Sequence, residues 1–138
     1  MNNFLNINDL TKEQIFKIVT GKKIQGNLKQ KKIGAIYEKP STRTRLSFET
    51  AIIDLEGSCI NINFSDLNFS RSESFQDTFK TFGLYLDAII YRTNNHNKLI
   101  DAAKYFNKPI INALSDISHP CQTLSDIYTL YSIFKNLD

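Results

Sequence analysis

Three short stretches of this chain carry side chains suited to holding an anion. Residues 41–45 read STRTR, three hydroxyls and two arginines with no glycine among them. If a helix begins at Ser41 or Thr42, the free N–H groups of its first turn face the preceding loop and the helix dipole favours negative charge there. Hydroxyls and an arginine beside those donors complete a phosphate cradle without a glycine-rich loop. Arg43 and Arg45 stand two apart on such a helix, about 200° around its axis. One of them can therefore meet a ligand while the other serves a structural carboxylate. The plainer reading is that Ser41 only caps the helix and both arginines are solvated.

The second stretch is SHPCQTLSD, which sets His119 and Gln122 three residues apart at a candidate helix start, so that both can address one point, with Pro120 suited to the first helical turn. The third is AIIYR, ending on Arg92. An arginine, an imidazole and an amide meeting at the anion site of a helix would suit a small ligand bearing both phosphate and carbonyl oxygens. Metal binding is not expected, because the chain has two histidines and its cysteines, Cys59 and Cys121, lack ligand spacing. A nucleophilic Cys121 activated by His119 is disfavoured too, since neighbours on a helix do not face each other.

The elements that must position these residues follow from periodicity. INDLTKEQIFKIVTGKK reads as a helix, with Asn8 or Thr11 as its cap, Leu10, Ile15, Ile18 and Val19 near helical spacing, and Gly21 as a stop. KIGAIYE is then a short apolar strand, and RLSFETAIIDLEG a helix with Leu46, Ala51, Ile52 and Leu55 on one face and Gly57 to close it. The alternation continues through CININ, SESFQDTFKTFGLYL, DAIIYRT, NKLIDAAKYFN, KPIINAL and an amphipathic run from Pro120 to Phe134. Four strands alternating with helices predict an α/β domain, a doubly wound parallel sheet with helices on both faces. In such sheets ligands gather beyond the carboxyl ends of the strands. That rule selects residues 38–45, 64–74, 92–97 and 114–122.

Composition narrows the function classes. The 138 residues, 41% hydrophobic and 22% charged, fit one ordinary soluble domain, and 17 basic against 14 acidic residues leave a formal charge of only +3. The main basic cluster, Lys29, Lys31 and Lys32, has no interleaved aromatics, so nucleic acid is not an expected partner. No stretch approaches the roughly 20 apolar residues of a membrane span, and no targeting segment is recognisable. Two cysteines in different contexts fit a reduced, cytoplasmic chain.

STRTR after a first strand, with HPCQ downstream, resembles the aspartate/ornithine carbamoyltransferase family, and the resemblance covers nearly the whole chain. It implies an N-terminal carbamoyl phosphate-binding domain spanning residues 1–138, with the amino-acid acceptor held by a C-terminal domain that this chain lacks. By resemblance, Ser41, Thr42, Arg43 and Thr44 hold the phosphate, and Arg92, His119 and Gln122 reach the carbamoyl carbonyl and amide. Arg43, Arg92 and His119 are then the catalytic residues, stabilising charge on the carbonyl oxygen and the leaving phosphate. The resemblance also implies acyl transfer without metal or organic cofactor, a role in arginine biosynthesis, and a homotrimer whose second loop, here with Asn68 and Arg71, reaches a neighbouring subunit.

YEKPSTRTR, YRT and HPCQ look closer to ornithine carbamoyltransferases, while LSFETA is also at home in the aspartate branch. The aspartate branch usually carries a lysine where this chain has Arg71. Asn68 departs from the glutamine often found in ornithine enzymes. Two readings from other classes compete with the enzyme: a stand-alone phosphate-binding module, and a structural fragment without a ligand. Three loops converging on one point favour the half-enzyme over both.

Overall fold

The computed structural model describes residues 3–21, 26–67, 69 and 73–135. Four strands, β1 (Lys32–Tyr37), β2 (Ser58–Asn63), β3 (Ala88–Arg92) and β4 (Ile110–Leu114), alternate with helices α1 (Lys12–Thr20), α2 (Thr42–Asp54), α3 (Phe75–Tyr85), α4 (His96–Tyr105) and α5 (Pro120–Phe134). All strand pairings are parallel and the spatial order is β2-β1-β3-β4. The expected doubly wound sheet is therefore present. The order reverses between β1 and β3, the switch point beyond which open α/β sheets hold their ligands. Tyr37 and Arg92 are partners in register there.

Alternation along the strands separates two apolar layers. Ile36, Ile89, Tyr91 and Ile110 pack with Phe79, Leu99, Ala102 and Phe106 from the α3 and α4 side. Ile33, Ile90 and Ala113 pack with Ile52 and Phe48 of α2 on the other. Residues of β1 and β3 thus alternate between the two faces, and Arg92 falls on the α2 face after Ile90. The segment before α1 adds a parallel bridge from Phe4 to Ile111, which lies along the outer edge of β4.

The helix caps explain the boundaries. Thr11 caps α1 in a reciprocal pair with Gln14, and the Ser74 hydroxyl accepts from the Asp77 N–H at the start of α3. Three expectations about the helices need correction. Residue 56, not Gly57, takes the left-handed conformation that ends α2, with φ of 64° at Glu56. Gly57 helps to close the helix through its N–H, which donates to the Ile52 carbonyl at 2.9 Å, and it is needed for space, because a Cβ there would lie 2.8 Å from Leu28 Cβ and 3.0 Å from Ile52 Cγ2. Leu46 and Ala51 are also not in the buried stripe of α2, where Ile52 alone is fully buried. The first turns of α2 overhang the end of the sheet, so Leu46 stays 58% exposed, and a cavity separates Ala51 from α5. On α1, Val19 is buried as expected but Ile18 faces outward. Among the described residues, no helix is long and apolar enough to cross a membrane.

Candidate anion site at the switch point

The site is built from the ends of β1, β3 and β4. The chain leaves β1 at Tyr37, turns through Glu38, Lys39 and Pro40, and enters α2 with Ser41 at the cap position. Ser41 makes no side-chain cap hydrogen bond, and no acid lies in the first turn of α2. The hydroxyl is used elsewhere: Arg92 Nη1 donates to Ser41 Oγ at 2.6 Å and to Thr44 Oγ1 at 3.1 Å. The helix N-terminus is thus left without a competing acceptor, while a guanidinium sits against its first turn. The reading of Ser41 as a simple cap does not hold.

A cavity of about 670 Å³ between α2 and α5 is lined by Arg43, Thr44, Arg92, His119, Cys121 and Gln122, among others. Arg45 points the other way, as the helical spacing requires, and its Nε meets Glu49 Oε1 at 2.7 Å. It borders a second cavity of about 680 Å³ with Ser41, Thr42, Asn61, Phe64 and Ser65. The two cavities flank the start of α2. The first is the better anion site, because it brings Arg43 and Arg92 together with an imidazole.

His119 caps α5 ahead of Pro120 without a side-chain bond of its own. Its Nδ1 is buried and finds no hydrogen-bond partner among the described residues. Burial, and then the positive charge of Arg92, hold its pKa below the ordinary histidine value, with Asp126 opposing. The imidazole is therefore neutral at pH 7. Gln122 reaches the same cavity, but its amide nitrogen donates to Asp126 Oδ1 at 2.8 Å. Cys121 is unsuited to nucleophilic attack: burial pushes its thiol up to about 11, and its Sγ lies 3.5 Å from the Asn112 carbonyl.

The turn before His119 is set by a residue outside both motifs. Asn112, fully buried in β4, donates to the carbonyls of Leu5 at 2.9 Å and Ser118 at 3.1 Å, and accepts from the Leu114 N–H at 3.0 Å. Ser115 accepts from the Ile117 and Ser118 N–H groups. His96 at the start of α4 joins the same turn, its N–H donating to Asp116 Oδ1 at 2.7 Å and its Nδ1 lying 2.8 Å from Ser115 Oγ. A lone amide inside the apolar run IINAL was the available signal. Of the residues expected on the second loop, Asn68 and Arg71 lie outside the described residues. Among the described residues, no group of three or more His, Cys, Asp or Glu side chains could hold a metal ion.

Comparison with known proteins decides the family. Residues 2–132 match the model of the aspartate/ornithine carbamoyltransferase, carbamoyl-P binding domain. The chain belongs to the aspartate/ornithine carbamoyltransferase family. It is 41% identical to an ornithine carbamoyltransferase of Prochlorococcus marinus, over 96% of this chain and 45% of that one. It is 38% identical to an anabolic ornithine carbamoyltransferase of Campylobacter jejuni, over 94% of this chain and 44% of that one. Among solved structures, ornithine carbamoyltransferase from Pyrococcus furiosus matches with a TM-score of 0.89 at 37% identity, covering 98% of this chain and 46% of that one. The chain therefore spans a little under half the length of these family members.

Proposed function

We propose that this chain is the carbamoyl phosphate-binding half of an ornithine carbamoyltransferase, which transfers a carbamoyl group from carbamoyl phosphate to L-ornithine and releases citrulline and phosphate. The observation that carries the reading is Arg92, at the switch point of the sheet, spanning Ser41 and Thr44 at an uncapped helix start across one cavity from a neutral His119. The ornithine branch is supported by the relatives named above, and the anabolic role of the Campylobacter jejuni enzyme supports a place in arginine biosynthesis.

In this reading the phosphate sits at the N-terminus of α2, held by the backbone N–H groups, Ser41, Thr42, Arg43 and Thr44. The carbamoyl oxygen faces Arg92 and His119. The uncharged amine of ornithine attacks the carbamoyl carbon, the carbonyl oxygen takes up negative charge in the tetrahedral intermediate, and the C–O bond to phosphate breaks as the carbonyl reforms and the proton of the attacking amine passes to the leaving phosphate. Arg92 stabilises the oxyanion and Arg43 the departing phosphate, and one such donor is typically worth about 2.7–4 kcal/mol in the transition state. His119 acts as a neutral hydrogen-bond donor at the carbonyl, since an imidazolium beside Arg92 is disfavoured. Gln122 orients the carbamoyl amide after exchanging its bond to Asp126.

The acceptor-binding domain lies outside residues 1–138 and supplies the amine. The working enzyme is a cytoplasmic homotrimer in which the loop carrying Asn68 and Arg71 reaches a neighbouring site. Titrating carbamoyl phosphate and inorganic phosphate into the chain tests the first half of the reading. Preference for carbamoyl phosphate supports the half-enzyme, equal affinity points to a plain phosphate-binding module, and no binding of either rejects the site.

A further inference from the structure

Behind the anion site, on the opposite face of the sheet, lies a buried charged cluster that neither the phosphate nor the carbamoyl group would touch. Glu38 continues the face of Ile36, and its side chain is only 6% exposed. Its carboxylate accepts from the Tyr91 hydroxyl at 2.5 Å and from Lys98 Nζ at 3.1 and 3.2 Å. The Lys98 ammonium in turn stands 4.9 Å above the ring of Phe64, just past β2. One carboxylate therefore ties together the exits of β1 and β3, the first turn of α4 and the chain after β2.

Stability alone does not account for such a cluster. Desolvation of the buried Glu38 carboxylate offsets much of the pairing, and the Lys98 side chain, 37% exposed, is screened by solvent. What the polar cluster adds is direction. Tyr91 and Arg92 are adjacent on β3 and point to opposite faces, and the Glu38 N–H donates to the Arg92 carbonyl at 3.0 Å. Glu38 thus holds Tyr91 by its side chain and Arg92 by its backbone. Only Lys39 and Pro40 separate it from Ser41, the hydroxyl that Arg92 grips on the other face. Through α4, whose first residue is bound to Ser115 and Asp116, the cluster also meets the turn that leads to His119.

We propose that Glu38, Tyr91 and Lys98 form a positioning clamp on the back of the sheet that sets Arg92 against Ser41 and Thr44 on the front. They are positioning residues, acting through the backbone at 38–41 and 91–92, and the inference rests on the reading of the front face as an anion site. It assigns this role to side chains outside the anion cavity, one of them on α4, with Glu38 bordering the second cavity beside Ser41 and Thr42.

The test uses the 138-residue chain with Glu38→Gln, Lys98→Met, Lys98→Arg and Tyr91→Phe. Tyr91→Phe deletes one hydroxyl and keeps the ring in the core, so it serves even if a charge variant fails to fold. Two quantities are read: the NMR signals of the Arg92 guanidinium without ligand, and the affinity for inorganic phosphate. In the parent chain the Arg92 N–H signals should be resolved and slow to exchange. Glu38→Gln, Lys98→Met and Tyr91→Phe should average them and weaken phosphate binding about tenfold, the lower end of what one charge-assisted hydrogen bond contributes. Lys98→Arg should restore both.

A merely structural cluster would lower the melting temperature and leave both readouts alone. Folded Tyr91→Phe and Glu38→Gln chains with unchanged Arg92 signals and phosphate affinity within about twofold would overturn the clamp. A parent chain that binds no phosphate, while its Arg92 signals still respond to the variants, would instead reject the proposed function and keep the clamp.

Discussion

Arg92→Lys tests the anion site most directly, because it keeps the charge and removes the fork. In the parent chain Nη1 of the guanidinium donates to both Ser41 Oγ and Thr44 Oγ1, which leaves the N–H groups of Nη2 and Nε for a ligand at the cavity that Arg92 lines. A lysine has a shorter reach and a single nitrogen, so it can hold the hydroxyls or the anion but not both in the same geometry. The variant should therefore lose about one charge-assisted hydrogen bond to the ligand, roughly 1.5–3 kcal/mol, which is about 10- to 150-fold in affinity. The fold should survive, because Arg92 is half-buried and lies at the end of β3, beyond the apolar layers. NMR titration with phosphate and with carbamoyl phosphate measures the loss, and thermal unfolding checks the fold. A folded Arg92→Lys chain that binds carbamoyl phosphate as the parent does would refute the reasoning that the guanidinium geometry makes the site.

Arg43→Ala should weaken carbamoyl phosphate binding far more than Arg45→Ala, because Arg43 lines the cavity while Arg45 is paired with Glu49; calorimetry on both variants reads this, and equal losses would count against it. The ring signals of His119 should titrate below 6.5, and Arg92→Ala should raise the midpoint, since Arg92 disfavours the imidazolium. Because the folded pKa is depressed, the unfolded chain binds the proton more readily, so this contribution to stability is present above about 6.5 and is lost as pH falls through the folded value. Denaturation at several pH values, with His119→Asn lacking that slope, measures it. Asn112→Val should destabilise the chain by about 1–3 kcal/mol for each buried partner it orphans, seen as a lower denaturant midpoint. The chain alone should give no measurable carbamoyl transfer to ornithine or aspartate, because holding both reactants in register, where effective molarities reach roughly 10⁵–10⁸ M, needs the acceptor half as well. An assay for citrulline and carbamoyl-aspartate would contradict this if it found turnover that His119→Ala abolished.

Much of the site was legible because its signals are local. STRTR and HPCQ each place their side chains on one helix start, where spacing alone decides what shares a face, and that separated Arg43 from Arg45. The alternation of strands and helices made a parallel sheet legible, but not the order β2-β1-β3-β4, which pairings between distant segments decide. Glu38 could be noticed beside STRTR, yet its partners Tyr91 and Lys98 belong to β3 and α4, so its burial had no local sign. Leu46 was misread because helical periodicity identifies an apolar face but not how far the sheet extends beneath it. Gly57 was legible as part of the helix end, but not that Glu56 supplies the positive φ or that crowding by Leu28 and Ile52 is what excludes a side chain at Gly57.

The strip that runs along β4 has a consequence for how the chain reaches its native state. Phe4 donates to the Ile110 carbonyl and accepts from the Asn112 N–H, both at 2.8 Å, while Asn3 and Leu5 are hydrogen-bonded to Ile110 and Asn112. During synthesis, residues 3–5 leave the ribosome long before their partners exist. Every helix and strand between them can condense first, since those contacts are closer in sequence and close smaller loops. The strip should then dock among the last events, covering an edge of β4 that would otherwise stay open to another chain. Because the same Asn112 amide also holds the turn before His119, that late docking step would complete the histidine side of the pocket. A chain without the strip would keep the bonds from Asn112 and Ser115 to the Ser118 turn and lose only the Leu5 anchor of that amide.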